Sequence, residues 1–260
     1  MSLAGFEERT FTYDGKTKPV YWRGDGPGVV IIHEIPGITP EVAAFGRRVA
    51  DAGFTAVMPH LFGVPGKPMS TGYAVGQILR LCVSREFTLL ARKKASPVTD
   101  WLRALCRDVH GQCGGPGVGA LGMCLTGGFA LALMVDESVM APVLSQPSLP
   151  FPVSADHRAA LALSDDDLAK VKARTEAGCT LLGLRFTEDR GATPERFETL
   201  RRELKEGFEG IEIDSSPGNP YGISSQAHSV LTADFVDEDG HPTREALERV
   251  LQLFNDRLRS

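Results

Sequence analysis

Cysteine pairs, metal-ligand clusters and long apolar runs are all missing from this sequence. Its five cysteines are odd in number and none forms a CxxC pair: Cys82, Cys106, Cys113, Cys124 and Cys179. This pattern argues against a disulfide framework and predicts a reducing compartment. Because cysteine and histidine never cluster with zinc-ligand spacing, we expect no bound metal, and nothing in the sequence points to a cofactor.

Basic residues are also fewer than acidic residues. The chain has 28 Lys and Arg against 33 Asp and Glu, a net charge of -5. That balance argues against a nucleic-acid or anionic-membrane partner. The apolar runs are too short to span a membrane, and the first residues do not resemble a signal peptide. We therefore expect a cytoplasmic protein, with its oligomeric state left open.

What the sequence does contain is a regular alternation of strand and helix patterns. The chain has 260 residues, 42% of them hydrophobic, which suits a single domain over residues 1–260. Strands are predicted at 6–13, 18–23, 28–33, 54–59, 118–123, 140–144, 179–186 and 210–213. Helices are predicted at 40–52, 73–94, 97–110, 126–135, 165–175, 194–206 and 242–257, with irregular segments at 60–70, 145–160 and 214–225. This order predicts an α/β fold: a doubly wound, mostly parallel sheet with helices on both faces.

One turn carries the strongest chemical signal. Residues 119–128 read as a buried strand, a sharp turn with Cys124 at its tip, and a helix. The helix dipole and free N–H groups at that position favour a thiolate. This is where enzymes with the G-x-S-x-G turn carry their nucleophile. The alternative is that Cys124 is only a small buried apolar residue at a strand end.

An acid and a histidine follow Cys124 in the order typical of a nucleophile–acid–histidine triad. Asp189 lies in a loop between a predicted strand and helix, with Glu188 beside it as a competitor. His228 lies in a late loop after the last short strand. Ligands bind beyond the carboxyl ends of such strands, so these groups should meet there. His33 and His60 also follow strands and are expected at most to line the pocket, while His110, His157 and His241 lie in or beside helices.

Together these residues resemble the dienelactone hydrolase family, which has the α/β-hydrolase fold and a cysteine nucleophile. The resemblance covers most of the chain and is concentrated in residues 31–37, 122–128 and 227–229, together with Asp189. It implies Cys124 as nucleophile, His228 as general base and acid, Asp189 as orienting carboxylate, and Glu34 as a neighbour of the resting thiol. The implied oxyanion donors are the backbone N–H groups of Leu125 and Ile35.

Two positions depart from the family pattern. Thr126 stands where the family has a glycine, and Gly127 is expected to take over the close contact that this glycine makes. The family binds a substrate carboxylate through arginine, but no arginine follows His228 closely; Arg80 and Arg85 are the alternative cations, or only part of a solvated helix face. We expect a hydrolase of small esters or lactones acting through a thioester. The alternative is a catalytically silent protein of the same fold that binds ligands or senses oxidants through Cys124.

Overall fold

The computed structural model describes residues 3–82, 97–149 and 154–259. Its strands are β1 (Glu7–Tyr13), β2 (Lys16–Arg23), β3 (Gly28–Ile32), β4 (Thr55–Pro59), β5 (Val118–Met123), β6 (Val139–Ser145), β7 (Leu181–Phe186) and β8 (Phe208–Ile213). Its helices are α1 (Pro40–Asp51), α2 (Thr71–Cys82), α3 (Pro97–Cys113), α4 (Gly127–Leu133), α5 (Ala155–Ala159), α6 (Asp165–Glu176), α7 (Pro194–Leu204) and α8 (Pro242–Leu258). Short 3₁₀ turns follow β5 at Cys124–Thr126 and α7 at Lys205–Gly207.

All of these strands belong to one sheet in the order β1-β2-β4-β3-β5-β6-β7-β8. Strands β1 and β2 form an antiparallel hairpin, and β2 also pairs antiparallel with β4. The remaining neighbours pair in parallel. The predicted doubly wound, mostly parallel sheet is therefore confirmed. Its parallel strands all point their carboxyl ends toward one edge.

The two faces of the sheet pack against different helices. Ile31 of β3 packs with Phe45 of α1 and Phe254 of α8 on one face. Its neighbour Ile32 points the opposite way and packs with Trp101 of α3. Because successive strand residues alternate in direction, a strand buried on both faces must be apolar throughout. That requirement explains the continuous apolar run in β3, which is buried along its whole length.

Helix starts agree with the capping signals in the sequence. The Thr39 side chain accepts a hydrogen bond from the Val42 N–H at the start of α1, and Ser164 accepts one from Asp167 at the start of α6. Such caps satisfy N–H groups that the first helical turn leaves without partners. Most predicted boundaries lie within a few residues of the observed ones.

Two predicted segments do not match the observed helices in full. Residues 145–160 were expected to be irregular, and that is wrong for Ala155–Ala159, which form α5. Ser154 caps this short helix by accepting a hydrogen bond from the His157 N–H at 3.2 Å. The helix predicted at 73–94 is observed as α2 up to Cys82, and its remainder lies outside the described residues. In the described part of the chain, no helix combines the length and apolar character needed to cross a bilayer.

Candidate active site

Cys124 lies at the tip of the turn that follows β5. Its φ of 54° is in the left-handed region, which costs a non-glycine residue roughly 1–2 kcal/mol. The 3₁₀ turn and then α4 follow directly. The thiol is free and partly exposed, although the strand before it is fully buried. This strained strand–turn–helix lifts one reactive side chain above the carboxyl edge of the sheet.

Two glycines make the turn possible. A Cβ on Gly122 would come within 2.4 Å of the Thr126 carbonyl oxygen. A Cβ on Gly127 would come within 2.7 Å of the Pro147 Cα. Both distances are too short for any side chain. Gly127 therefore makes the close backbone contact expected of it, and Thr126 fills the position before it.

Thr126 is fully buried and its hydroxyl has several partners. The Oγ1 atom accepts a hydrogen bond from the Met123 N–H at 3.0 Å. The same oxygen lies 3.0 Å from the Ile32 carbonyl and 3.1 Å from the His33 carbonyl, to either of which it can donate. The side chain thus connects the cysteine turn to the end of β3. The family pattern marks Thr126 as a departure, but nothing near it in the sequence predicts this contact.

Asp189 and His228 meet, as their positions in the chain predicted. The Nδ1 atom of His228 is 2.7 Å from Oδ2 of Asp189, which is buried in the loop after β7. The other carboxylate oxygen accepts a hydrogen bond from the Gly191 N–H at 2.8 Å. Glu188, the competing acid, is exposed and lines the neighbouring cavity instead. The pairing leaves Nε2 of His228 as the ring nitrogen available for proton transfer.

His228 also lies at the Cys124 thiol, and the two affect each other electrostatically. Burial alone lowers the pKa of His228, but the charges of Cys124 and Asp189 and hydrogen bonds to both outweigh it. The net effect raises the pKa of His228 well above its usual value of 6.5. The ring therefore joins all three residues of the predicted triad. A raised pKa favours the protonated imidazole, the form that can deliver a proton.

The loop that carries His228 is fixed by a residue that sequence reasoning missed. Oδ2 of Asp234 accepts hydrogen bonds from the N–H groups of His228, at 2.9 Å, and Ser229, at 2.8 Å. Aspartate commonly closes loops by binding nearby backbone N–H groups, so its position six residues after His228 was an available signal.

Glu34 lies after β3 and is almost completely buried. Its Oε2 accepts hydrogen bonds from Ser229 Oγ at 2.7 Å and from Gln146 Nε2 at 3.1 Å. Its other oxygen accepts one from the Thr232 hydroxyl. All three donors are neutral, and two belong to the loop that carries His228. Glu34 thus links the end of β3 to the histidine loop.

The two expected oxyanion donors lie on the segments joined by Thr126. Leu125 is the second residue of the 3₁₀ turn, so helical geometry leaves its N–H without a partner inside the turn. Ile35 lies in the loop after β3, and no carbonyl in the described residues accepts a hydrogen bond from its N–H. Among the described residues, neither N–H donates to a backbone carbonyl, as an oxyanion donor requires.

A cavity of about 500 Å³ opens beside the His228–Asp189 pair. Pro217 and Gln226 form part of its wall, while Glu188 and Arg190 bring opposite charges to it. Its size suits a small organic molecule, but Cys124 is not among the residues that line it. Arg85, the cation expected for substrate binding, lies outside the described residues, as does the side chain of Arg80.

His33 is at the edge of the site but is not open to it. Its Nε2 accepts a hydrogen bond from the Leu61 N–H at 3.1 Å, so the proton must be on Nδ1, which donates to the Glu34 carbonyl at 3.0 Å. Burial lowers the pKa of His33 to about 4. His33 is therefore a neutral structural residue beneath the loops of the site.

Two buried arginines shape the loop that carries Asp189, and no local signal in the sequence predicts either contact. Arg185 of β7 donates to the Ala192 carbonyl at 2.7 Å and to the Thr187 carbonyl at 2.8 Å, which lie on opposite sides of Asp189. Arg196 of α7 donates to the Gly191 carbonyl in this loop at 3.3 Å and to the Pro147 carbonyl at 2.6 Å. Within the described residues, no group of three or more His, Cys, Asp or Glu side chains is arranged to hold a metal ion.

Comparison with known proteins places this geometry in a known class. The model of the dienelactone hydrolase family matches residues 16–258. A curated yeast relative from Saccharomyces cerevisiae, named "Putative carboxymethylenebutenolidase", is 24% identical over 257 residues, covering 96% of this chain and 87% of the relative.

Solved structures show the same fold. A dienelactone hydrolase-like promiscuous phosphotriesterase, P91, from metagenomic libraries has a TM-score of 0.63 and 17% identity, covering 97% of this chain and 98% of that one. The dienelactone hydrolase of Anabaena variabilis has a TM-score of 0.58 and 15% identity, covering 98% of this chain and 99% of that one.

The mostly parallel eight-stranded sheet and the family match define an α/β-hydrolase fold. Within that class, the chain belongs to the dienelactone hydrolase family. It is a dienelactone-hydrolase-like hydrolase, and a small-molecule substrate is what this family implies.

Proposed function

We propose that this chain hydrolyses an ester or lactone bond in a small molecule through a Cys124–His228–Asp189 triad. The observation that carries the proposal is the environment of His228. Its Nδ1 binds Asp189 at 2.7 Å, and the thiol of Cys124 lies at the same ring. A nucleophile, a base and an orienting carboxylate in this relation are what covalent acyl transfer requires.

In the first half of the proposed reaction the thiolate of Cys124 attacks the carbonyl carbon. A C–S bond forms, and the π electrons move to the carbonyl oxygen, whose charge is stabilised by the N–H groups of Leu125 and Ile35. The tetrahedral intermediate then expels the alkoxide, which takes a proton from the imidazolium of His228. A thioester and neutral His228 remain. When the substrate is a lactone, the alcohol stays attached to the acyl group.

In the second half, neutral His228 takes a proton from water while the water oxygen attacks the thioester. The C–S bond breaks, the thiolate of Cys124 returns, and the carboxylic acid leaves. Acylation removes the charge of Cys124, which is one of the causes that raise the pKa of His228. Forming the thioester therefore favours the neutral imidazole that deacylation needs.

We propose that Glu34 is a further functional carboxylate of the site. The family resemblance implies that it influences ionisation of the resting thiol. Its bonds to Ser229 and Thr232 also give it a way to hold the loop of His228 in place. A buried carboxyl group with three hydrogen-bond donors is held in one position beside the histidine loop.

The test is hydrolysis of p-nitrophenyl acetate by the Cys124→Ala variant. We expect turnover to be abolished while circular dichroism shows an unchanged fold, because the thioester of the proposed mechanism forms on Cys124. Cys124→Ser should retain weak activity at most, since a hydroxyl needs a much stronger base than a thiol. Cys113→Ala is the matched control: this half-buried thiol at the end of α3 should be dispensable. Wild-type rates in Cys124→Ala contradict the mechanism.

The same assay separates the proposal from a silent redox-sensing protein of this fold, which the free and partly exposed thiol of Cys124 also supports. Stoichiometric alkylation of Cys124 by iodoacetamide, without turnover of any ester tested, is the result expected of a sensor. Alkylation that abolishes an existing esterase activity is the result expected of the enzyme.

We further propose a cytoplasmic location. Cys106, Cys113, Cys124 and Cys179 are all free thiols in the structure, which is the chemistry of a reducing compartment. Fractionation of cells that express the tagged chain tests this location.

A further inference from the structure

We propose that Thr126 is a positioning residue whose hydroxyl sets the spacing between the two oxyanion donors. This inference rests on the proposed acyl-transfer function. One donor, the N–H of Leu125, belongs to the cysteine turn. The other, the N–H of Ile35, belongs to the loop after β3. The Thr126 hydroxyl is hydrogen-bonded to both segments.

The strand ladder does not by itself join these segments. The parallel pairing of β3 with β5 ends where Ile32 lies opposite Gly122. Leu125 and Ile35 both lie three residues beyond that last pair. Each chain turns sharply there, so regular strand hydrogen bonds no longer fix their separation. A side-chain contact between the two segments can hold the two N–H groups at the spacing that one oxygen requires.

The Thr126 hydroxyl is placed to make that contact. It accepts from the Met123 N–H at 3.0 Å, which fixes it to the base of the turn. Its single proton can then go to the Ile32 carbonyl at 3.0 Å or the His33 carbonyl at 3.1 Å, both at the end of β3. The Met123 carbonyl, at 2.8 Å, is a local alternative acceptor that would leave the two segments unjoined.

The chemistry of threonine matters here more than its shape. A glycine or alanine at this position is compatible with the turn but has no hydroxyl to bond to β3. Valine keeps the volume and the branched Cβ but has neither a donor nor an acceptor. Serine keeps the hydroxyl and loses a methyl group. These substitutions separate a hydrogen-bonding role from a packing role.

The experiment compares Thr126→Val and Thr126→Ser with wild type in three measurements. These are kcat and KM for p-nitrophenyl acetate, the inhibition constant of 1,1,1-trifluoroacetone, and the rate of Cys124 alkylation by iodoacetamide. The ketone adds to the thiolate to form a hemithioketal oxyanion, so its affinity depends on the oxyanion donors. Alkylation displaces iodide and creates no oxyanion, so it reports the thiolate alone.

For Thr126→Val we expect kcat and kcat/KM to fall together by about 10- to 100-fold, since displaced donors weaken only the transition state. The inhibition constant of the ketone should rise by a similar factor, while the alkylation rate changes by less than about twofold. Thr126→Ser should recover most of the activity. A purely structural threonine would lower the melting temperature without this pattern.

Thr55→Val is the matched control. Thr55 is also buried, and its hydroxyl also joins two segments by donating to the Gly26 carbonyl at 2.6 Å. It lies at the amino end of β4, away from the site. We expect Thr55→Val to lose stability and keep its kcat. If Thr126→Val does not fold, the smaller Thr126→Ala variant makes the same comparison.

The inference fails if Thr126→Val keeps kcat/KM and ketone affinity within twofold of wild type. It also fails if alkylation slows in parallel with turnover, because the hydroxyl then acts on the thiolate rather than on the donors. Failure of the proposed function is distinct, since wild type itself would then hydrolyse no ester. Even in that case, the affinity of Cys124 for the ketone in wild type and variant still tests the position of the donors.

Discussion

Single residues in this site take their properties from the groups packed around them, both near and distant in the chain. His33 shows this clearly. Its neighbours in the chain predict a pocket-lining histidine, but both of its ring nitrogens are occupied by backbone groups and its surface is fully buried. Its ring also packs edge-on against Phe62, with ring centroids 4.4 Å apart. Burial of a neutral imidazole has a direct consequence for stability against acid.

We predict that His33 makes the protein sensitive to mild acid. Its pKa is lowered from 6.5 to about 4 in the folded chain, while the unfolded chain keeps the ordinary value. Its contribution is therefore complete above about pH 6.5 and is lost as the pH falls toward 4, where the unfolded chain binds more protons. A difference of that size corresponds to about 3 kcal/mol of unfolding free energy.

Urea unfolding of wild type and His33→Gln at several pH values between 4 and 7 checks this. Glutamine can both accept and donate without charging, so the variant should lose the part of the pH slope that His33 contributes. His157→Gln, at an exposed position in α5, should keep the wild-type slope. Identical slopes in all three proteins would show that His33 is not the acid-sensitive group.

At the scale of elements, the loop between β7 and α7 is shaped by an arginine inside the sheet. Arg185 is buried, and it donates to carbonyls on both sides of Asp189. It also forms an ion pair with Glu212 of β8. An arginine can do this because its guanidinium presents several donors in a fixed plane. These contacts therefore fix the shape of the loop that carries Asp189.

We predict that Arg185→Met destabilises the protein by about 3 kcal/mol, because it leaves buried carbonyls without donors. The loop of Asp189 should also lose its fixed shape, so kcat should fall. Arg201→Met is a matched control, since Arg201 contacts the same Glu212 carboxylate at 2.6 Å but is 45% exposed. It should cost less than about 1 kcal/mol. Equal losses of unfolding free energy in the two variants, measured by urea unfolding, would show that the buried arginine stabilises the protein no more than the exposed one.

The features that the sequence predicted share one property: their signals are local. The apolar run of β3, the Thr39 cap and the glycines around Cys124 each depend on residues close in the chain. Chain order then supplied Asp189 and His228, since parallel strands end at one edge. The contact of Thr126 with Ile32 spans 94 residues and left no such local signal.

At the scale of the whole molecule, the sheet brings distant parts of the chain into one site. Glu34, Cys124 and Asp189 follow β3, β5 and β7, and His228 follows β8 after a longer loop. The helix α8, near the end of the described chain, packs back against the central strands β5 and β6. Phe254 of this helix contacts Phe54, just before β4, with centroids 5.9 Å apart. Both ends of the described chain thus contribute to one sheet and its core.

From this arrangement we propose that residues 1–260 form a single cooperative domain, and we predict one unfolding transition. Trp22 in β2 and Trp101 in α3 report one half of the sheet by fluorescence, while far-ultraviolet circular dichroism reports every element. The two melting curves should coincide, because neither half of the sheet can bury its apolar faces alone. For 260 residues the calorimetric enthalpy near 60 °C should be roughly 180 kcal/mol and equal to the van't Hoff value. A van't Hoff enthalpy near half the calorimetric one would divide the chain into two units, and the site, which draws on β3 as well as β7, would then lie between them.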